Sequence, residues 1–160
     1  MRVFGIALIL LAALFFSAEF SRYQKKRIAE GDGFLHLFSH LRGEILCRLE
    51  PVADCFAGFR DEALERAGFL WALRECENLG AAMEATEKKL SLCEEEKKTL
   101  LRFCLGFGRG YREEELRRID AALEEFERQV AQDKRELPRL ARLVRTLSAA
   151  LALGIVILLL

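Results

Sequence analysis

Residues 116–151, LRRIDAALEEFERQVAQDKRELPRLARLVRTLSAAL, decide the fold of this chain. Leu116, Ile119, Leu123, Phe126 and Val130 are spaced three and four apart, which puts them on one face of a helix. The same stepping passes through Asp133 and resumes at Leu137, Leu140, Val144, Leu147 and Leu151. Asp133 is the polar interruption of that seam, and it must either find a cationic partner or sit where the helix leaves its bundle. Charged residues flank the seam, with Glu113–Arg117, Glu114–Arg118 and Glu124–Arg128 placed for i,i+4 pairs. Pro138 inside the same stretch removes one backbone hydrogen bond and favours a bend. From Thr146 onward the polar face vanishes, and TLSAALALGIVILLL is apolar all round. One helix thus passes from a soluble bundle toward a membrane.

The other end of the chain mirrors this. Residues 3–18 are apolar apart from Ser17, and as a helix they rise roughly 24 Å, short of a ~30 Å hydrocarbon core but workable with snorkelling flanks. A cleaved signal peptide is the competing reading, but Ser17-Ala18 followed by Glu19-Phe20 makes a poor cleavage site. Arg22, Lys25, Lys26 and Arg27 follow the first apolar segment, and Lys134, Arg135, Arg139, Arg142 and Arg145 precede the second. Both clusters face the middle of the chain, which predicts a cytoplasmic middle with both termini outside. Lysine plus arginine (25) equals aspartate plus glutamate (25), so no net field marks the chain for nucleic acid or anionic substrates.

Between the apolar ends, residues 19–145 read as all helix. Gly31-Asp32-Gly33 predicts a break or turn, and Phe34, Leu37, Phe38, Leu41, Ile45 and Leu49 then form an apolar stripe. Pro51 suits a helix start, with Val52, Cys55, Phe56 and Phe59 carrying a second stripe. Asp61 caps a short helix ending at Gly68, and Phe69 to Leu79 precedes another stop at Gly80. Ser91 and Glu94 have capping-box spacing for a helix through Leu105, although 86–105 reads equally as one helix. The expected fold class is therefore all-α: a compact bundle of about six helices over 19–145, between an N-terminal transmembrane helix (1–18) and a C-terminal one (146–160).

Little in the chain suggests chemistry. Cys47, Cys55, Cys76, Cys93 and Cys104 lie far apart, which speaks against zinc or redox motifs and for buried thiols in a reducing compartment. His36, His40 and Glu44 share one helix face, but without HExxH or an evident further ligand a polar face explains them better than a metal. Gly106, Gly108 and Gly110 follow a helix rather than a strand, so they end one helix and start the next instead of cradling phosphate. Glu94–Glu96 and Glu113–Glu115 sit at helix starts, where negative charge offsets the dipole. No nucleophile has a base partner in view, and no catalytic, cofactor-binding or metal residue is assigned.

Several residues together resemble a known family. Leu90-Ser91-Leu92, Phe103, Gly108, Ile119, Leu123 and the tail GIVILLL, with Glu44-Ile45 before Pro51, fall at the spacing of stage III sporulation protein AB. The resemblance covers almost the whole length and is sharpest over 90–160. After Gly108 the family tends to carry Asp and then Gln, where this chain has Tyr111 and Glu115. The resemblance implies a bundle similar to the cytoplasmic domain of the type II secretion platform protein. It also implies a membrane scaffold, not an enzyme, in the mother-cell-to-forespore channel of endospore formers. Its implied location is the mother-cell (outer forespore) membrane, with a secretion-type ATPase, stage III sporulation protein AA, as partner. The alternatives are a generic membrane-tethered coiled-coil adaptor, whose seam from Leu116 to Val144 pairs with another chain, and a membrane enzyme using His36 and His40.

Overall fold

The computed structural model describes residues 2–47, 56, 58–76 and 78–159. Among them are six helices and no strand: α1 (Arg2–Cys47), α2 (Glu62–Arg66), α3 (Phe69–Glu75), α4 (Leu79–Thr86), α5 (Glu94–Gly106) and α6 (Arg112–Leu159). The expected helix start at Pro51, with Leu49, Val52 and Cys55, lies outside the described residues. The chain divides into two compact units, one formed by Lys26–Gln132 and the other by the segments Met1–Lys25 and Asp133–Leu160. Helices α1 and α6 contribute to both, and half-buried Asp133 is the residue at which α6 changes unit.

The bundle unit is built on phenylalanine. Phe34 of α1 meets Phe69 of α3 edge-on at 4.9 Å between ring centres and Phe126 of α6 at 6.3 Å. One turn on, Phe38 meets Phe103 of α5 at 4.6 Å and Phe126 at 5.8 Å. Such T-shaped pairs place positive ring edges on negative faces and add directional attraction to the burial of large apolar area. Leu37, Leu41 and Ile45 complete the α1 stripe as expected, and Ile119, Phe126 and Val130 of the α6 seam are buried in this chain's own core. A coiled-coil seam open to another chain is therefore not available over 119–130.

The expected break at Gly31-Asp32-Gly33 does not occur, since α1 is continuous over 46 residues. These glycines serve close approach instead. A Cβ on Gly31 would lie 3.0 Å from Val130 Cγ2 of α6, and one on Gly33 would lie 2.7 Å from Asp61 Oδ1 and 2.9 Å from Leu64 Cγ. Gly80 is likewise no stop. It is the second residue of α4, where a Cβ would meet Leu105 Cδ2 at 2.9 Å. The actual break precedes it, with Asn78 accepting the Ala81 N–H at 2.8 Å as the α4 cap. Asp61 caps α2 as expected, accepting from Ala63 and Leu64 N–H at 3.0 and 3.1 Å, and Gly68 precedes α3 with φ of 81°.

Two further expectations shift. The capping box of α5 is Cys93 with Glu96 rather than Ser91 with Glu94, and α4 and α5 are separate helices. The expected i,i+4 pairs on α6 give way to i,i+3 pairs, Glu115–Arg118 and Glu125–Arg128, while Arg117 Nε donates to the Glu113 backbone carbonyl. Helix α6 continues through exposed Pro138 without a break.

The glycine contacts make a differential test. Helix propensity alone favours alanine over glycine by about 1 kcal/mol. Gly43→Ala, where a Cβ meets nothing within 4 Å, is expected to raise stability by up to that ~1 kcal/mol. Gly33→Ala is expected to lower it despite the same propensity gain, because Asp61 would have to leave its capping position. Thermal unfolding of the full-length variants in one detergent, followed by circular dichroism, reads the two opposite signs.

Candidate functional site

In the segment between α4 and α5, residues 90–92 are buried without being helical, so their backbone polar groups need partners from elsewhere. Leu90 and Leu92 point into the core, and the Ser91 N–H between them donates to Glu30 Oε2 of α1 at 2.6 Å. Glu30 is almost wholly buried, and Lys26 Nζ lies 3.6 Å from its other oxygen. A few residues along, buried Glu96 accepts the Cys93 N–H at 2.7 Å and Arg27 Nε at 3.3 Å through the same oxygen, while Cys93 Sγ accepts the Glu96 N–H at 3.4 Å. Two contacts thus hold residues 90–96 to α1, the Ser91 N–H on Glu30 and Arg27 on Glu96, while Lys26 and the Cys93 N–H supply further partners to the two carboxylates.

Burial pushes the Glu30 carboxyl above its ordinary value, and the Ser91 bond and Lys26 only partly oppose that. The Cys93 thiol is raised as well, by burial first and by the neighbouring Glu96 charge among lesser causes. Burial alone pushes Cys104 up to about 12. Both thiols are thus poor nucleophiles at neutral pH. Cys104 fits the expectation of a buried small hydrophobe, Cys76 and Cys93 are half-buried, and Cys47 is exposed.

The turn from α5 to α6 forms a second polar knot. Helix α5 ends at Gly106, Gly108 takes a left-handed φ of 83°, and the Gly110 N–H donates to buried Glu115 Oε1 at 2.8 Å. Arg118 Nη1 lies 3.1 Å from the same oxygen and also donates to the Gly106 carbonyl, closing the loop. The glycines therefore serve the turn, as their placement after a helix indicates. Tyr111, at the head of this turn, stands in solvent at 86 % exposure, and Trp71 of α3 is also largely exposed.

The face of His36, His40 and Glu44 does not converge. His36 Nδ1 lies 3.4 Å from Asp61 Oδ2, and the His40 ring packs at 5.3 Å from Phe59. No group of three or more potential metal ligands comes together among the described residues.

The unit containing the chain ends has its polarity arranged differently. Gln24 and Leu137 are buried near its junction with the bundle, but farther along the inward positions are small, with Ser17 of α1 at 7 % and Ala152 of α6 at 2 % exposure, while Leu14, Phe15 and Leu151 stand at 68, 69 and 66 %. The seam read from Leu147 and Leu151 is therefore displaced by one residue, and Ser148 and Ala152 face inward instead. Small residues let two helix backbones approach, and large apolar side chains face outward where the surrounding medium is itself apolar. Among the described residues, the helix over Arg112–Ile157 is long and apolar enough to cross a membrane; for most of the expected N-terminal span, 1–18, the side chains lie outside the described ones.

A family model described as stage III sporulation protein AB matches residues 2–160. The chain belongs to this family. No curated protein and no solved structure gives a match. The family's role in sporulation extends to this chain, and the residues that carried the resemblance now have physical duties. Leu90-Ser91-Leu92 is the buried strap held by Glu30, Phe103 and Ile119 are core, and Gly108 supplies the positive φ of the α5–α6 turn. Glu115, a departure from the family pattern, ties that turn. The site that sequence reading missed is Glu30, whose charge in an apolar stripe gave no sign that it serves a strap 61 residues away.

The Glu30–Ser91 bond has a pH signature. A carboxyl whose folded pKa is raised takes up its proton on folding, so the cost of burying its charge is present above the folded pKa and fades as pH falls toward 4.5. Glu30→Gln keeps an acceptor for Ser91 and is expected to be more stable than the parent at neutral pH, with the gap narrowing on acidification. Glu30→Ala leaves the Ser91 N–H unpaired and is expected to cost about 1–3 kcal/mol. Unfolding of the three proteins at several pH values between 4.5 and 7.5 checks both.

Proposed function

We propose that this protein is a membrane platform component of the mother-cell-to-forespore channel in sporulation. It acts as a scaffold rather than as an enzyme. In this reading its bundle is cytoplasmic and couples a secretion-type ATPase, stage III sporulation protein AA, to the assembly. Both chain ends lie in the mother-cell (outer forespore) membrane. The observation that carries the reading is the polarity of the chain-end unit toward its apolar ends, where small Ser17 and Ala152 are buried and large apolar residues such as Leu14, Phe15 and Leu151 face outward. In water such a surface would be an aggregation hazard, whereas against lipid it is the favourable arrangement. That arrangement supports an N-terminal anchor as companion to the C-terminal one, since Ala13 of α1 lines both grooves with Ser148 and Ala152, and Ser17 lines one of them. The basic clusters on the inner side of both apolar ends favour a cytoplasmic bundle. Trp71 and Tyr111 are residue types that anchor protein contacts, and both are exposed on the bundle.

Capture of the family's ATPase by the detergent-solubilised full-length protein, with weaker capture by Trp71→Ala or Tyr111→Ala, is the expected result. Equal recovery on empty resin would overturn the coupling role. For topology, the native cysteines are replaced and one is returned at exposed Glu84. An impermeant maleimide is expected to label that site only after permeabilisation, and labelling of intact cells would contradict the orientation.

A further inference from the structure

The two helices of the chain-end unit leave a groove on each side, and the two differ in one respect. One, of ≈ 460 Å³, runs between Ala13 and Phe16 of α1 and Val144, Leu147, Leu151 and Ile155 of α6, and carries no charge. The other, of ≈ 340 Å³, has buried Ser17 and Ala152 along its floor, with Ala13, exposed Leu14, Ala149 and Leu153 beside them and Arg145 at one end. Ser148, which also lines it, donates its hydroxyl to the Val144 carbonyl of its own helix, which keeps the floor effectively apolar.

From Leu137 to Leu160 the sequence holds Arg139, Arg142 and Arg145 and no acidic residue. These three guanidinium groups are exposed and form no ion pair among the described residues. Glu19, the acidic residue that follows the first apolar segment, is engaged by Arg22 at 3.0 Å and does not neutralise them.

We infer that the groove ending at Arg145 is a binding site for an anionic phospholipid, with an acyl chain lying along Ala149 and Leu153 and the phosphate against Arg145. The inference rests on the membrane reading above. A second apolar helix would fill the groove but leave the guanidinium unanswered at its mouth. A zwitterionic lipid would answer the apolar floor but bring a competing cation to it. An amphiphile with an apolar tail and a net negative head satisfies both ends. The uncharged groove on the opposite side has no such preference and takes any acyl chain.

Native mass spectrometry of the detergent-solubilised full-length protein, offered equal phosphatidylglycerol and phosphatidylcholine, tests the inference. One charge near an anionic headgroup predicts about a fivefold preference for phosphatidylglycerol. Arg145→Gln is expected to abolish that preference while membrane insertion, read as resistance to alkaline carbonate, is unchanged. Arg109→Gln, on the α5–α6 turn, is expected to keep it. Equal retention of both lipids, an unaltered preference in Arg145→Gln, or a lipid-free dimer showing a second copy in the groove would each overturn the inference while leaving the anchor intact. Extraction of the parent protein by carbonate would instead overturn the membrane reading on which it rests.

Discussion

At Gly31 the side chain of Val130 comes so near that no Cβ fits without displacement, and the packing of the bundle unit depends on that approach of α6 to α1. With the backbones this close, Phe126 of α6 reaches between Phe34 and Phe38 of α1, and those two rings in turn meet α3 and α5. A Cβ at Gly31 would require the Val130 side chain to give by a few tenths of an ångström, and an interior at crystal-like density passes such a shift to its neighbours. A local helix-propensity cost of about 1 kcal/mol per glycine is accepted in exchange for the contact.

The short helices α2 to α5 are too brief to be stable alone and are held by capping and by two buried carboxylates. Glu30 and Glu96 do for the strap at 90–96 what a neighbouring strand or helix would do for regular structure, by accepting N–H groups that water cannot reach. The cost of burying Glu30 as a charge is visible in its raised pKa, and Lys26 offsets only part of it. Glu115 and Arg118 repeat the device at the α5–α6 turn.

How much of this was legible depended on whether the signal was local. The all-helical class, the α1 stripe from Phe34 to Ile45 and the seam from Ile119 to Val130 follow from periodicity, and burial in the core matches them. Gly31 and Gly33 misled, since a glycine that breaks a helix and one that admits a neighbour look alike until the neighbour is known. The α5 cap was displaced by two residues because cysteine is not among the usual capping side chains, and Ser91 was committed to the strap. Near the C-terminus, reading the largest apolar residues as the inward face chose Leu147 and Leu151. The inward positions there are smaller, and Ser148 and Ala152 sit where Leu147 and Leu151 were expected.

The central claim is that α1 and α6 pair through small residues at their apolar ends, within a membrane. Cysteine cross-linking in native membranes addresses it most directly, with Ala13→Cys and Ala152→Cys introduced together into a protein otherwise free of cysteine. Both positions line the same grooves, whereas Leu11 and Leu143 are exposed and line neither. Rapid intramolecular oxidation of the 13/152 pair, with no such bond in an 11/143 control, is the result expected. Absence of the 13/152 bond, or its formation only between separate copies, would contradict the account.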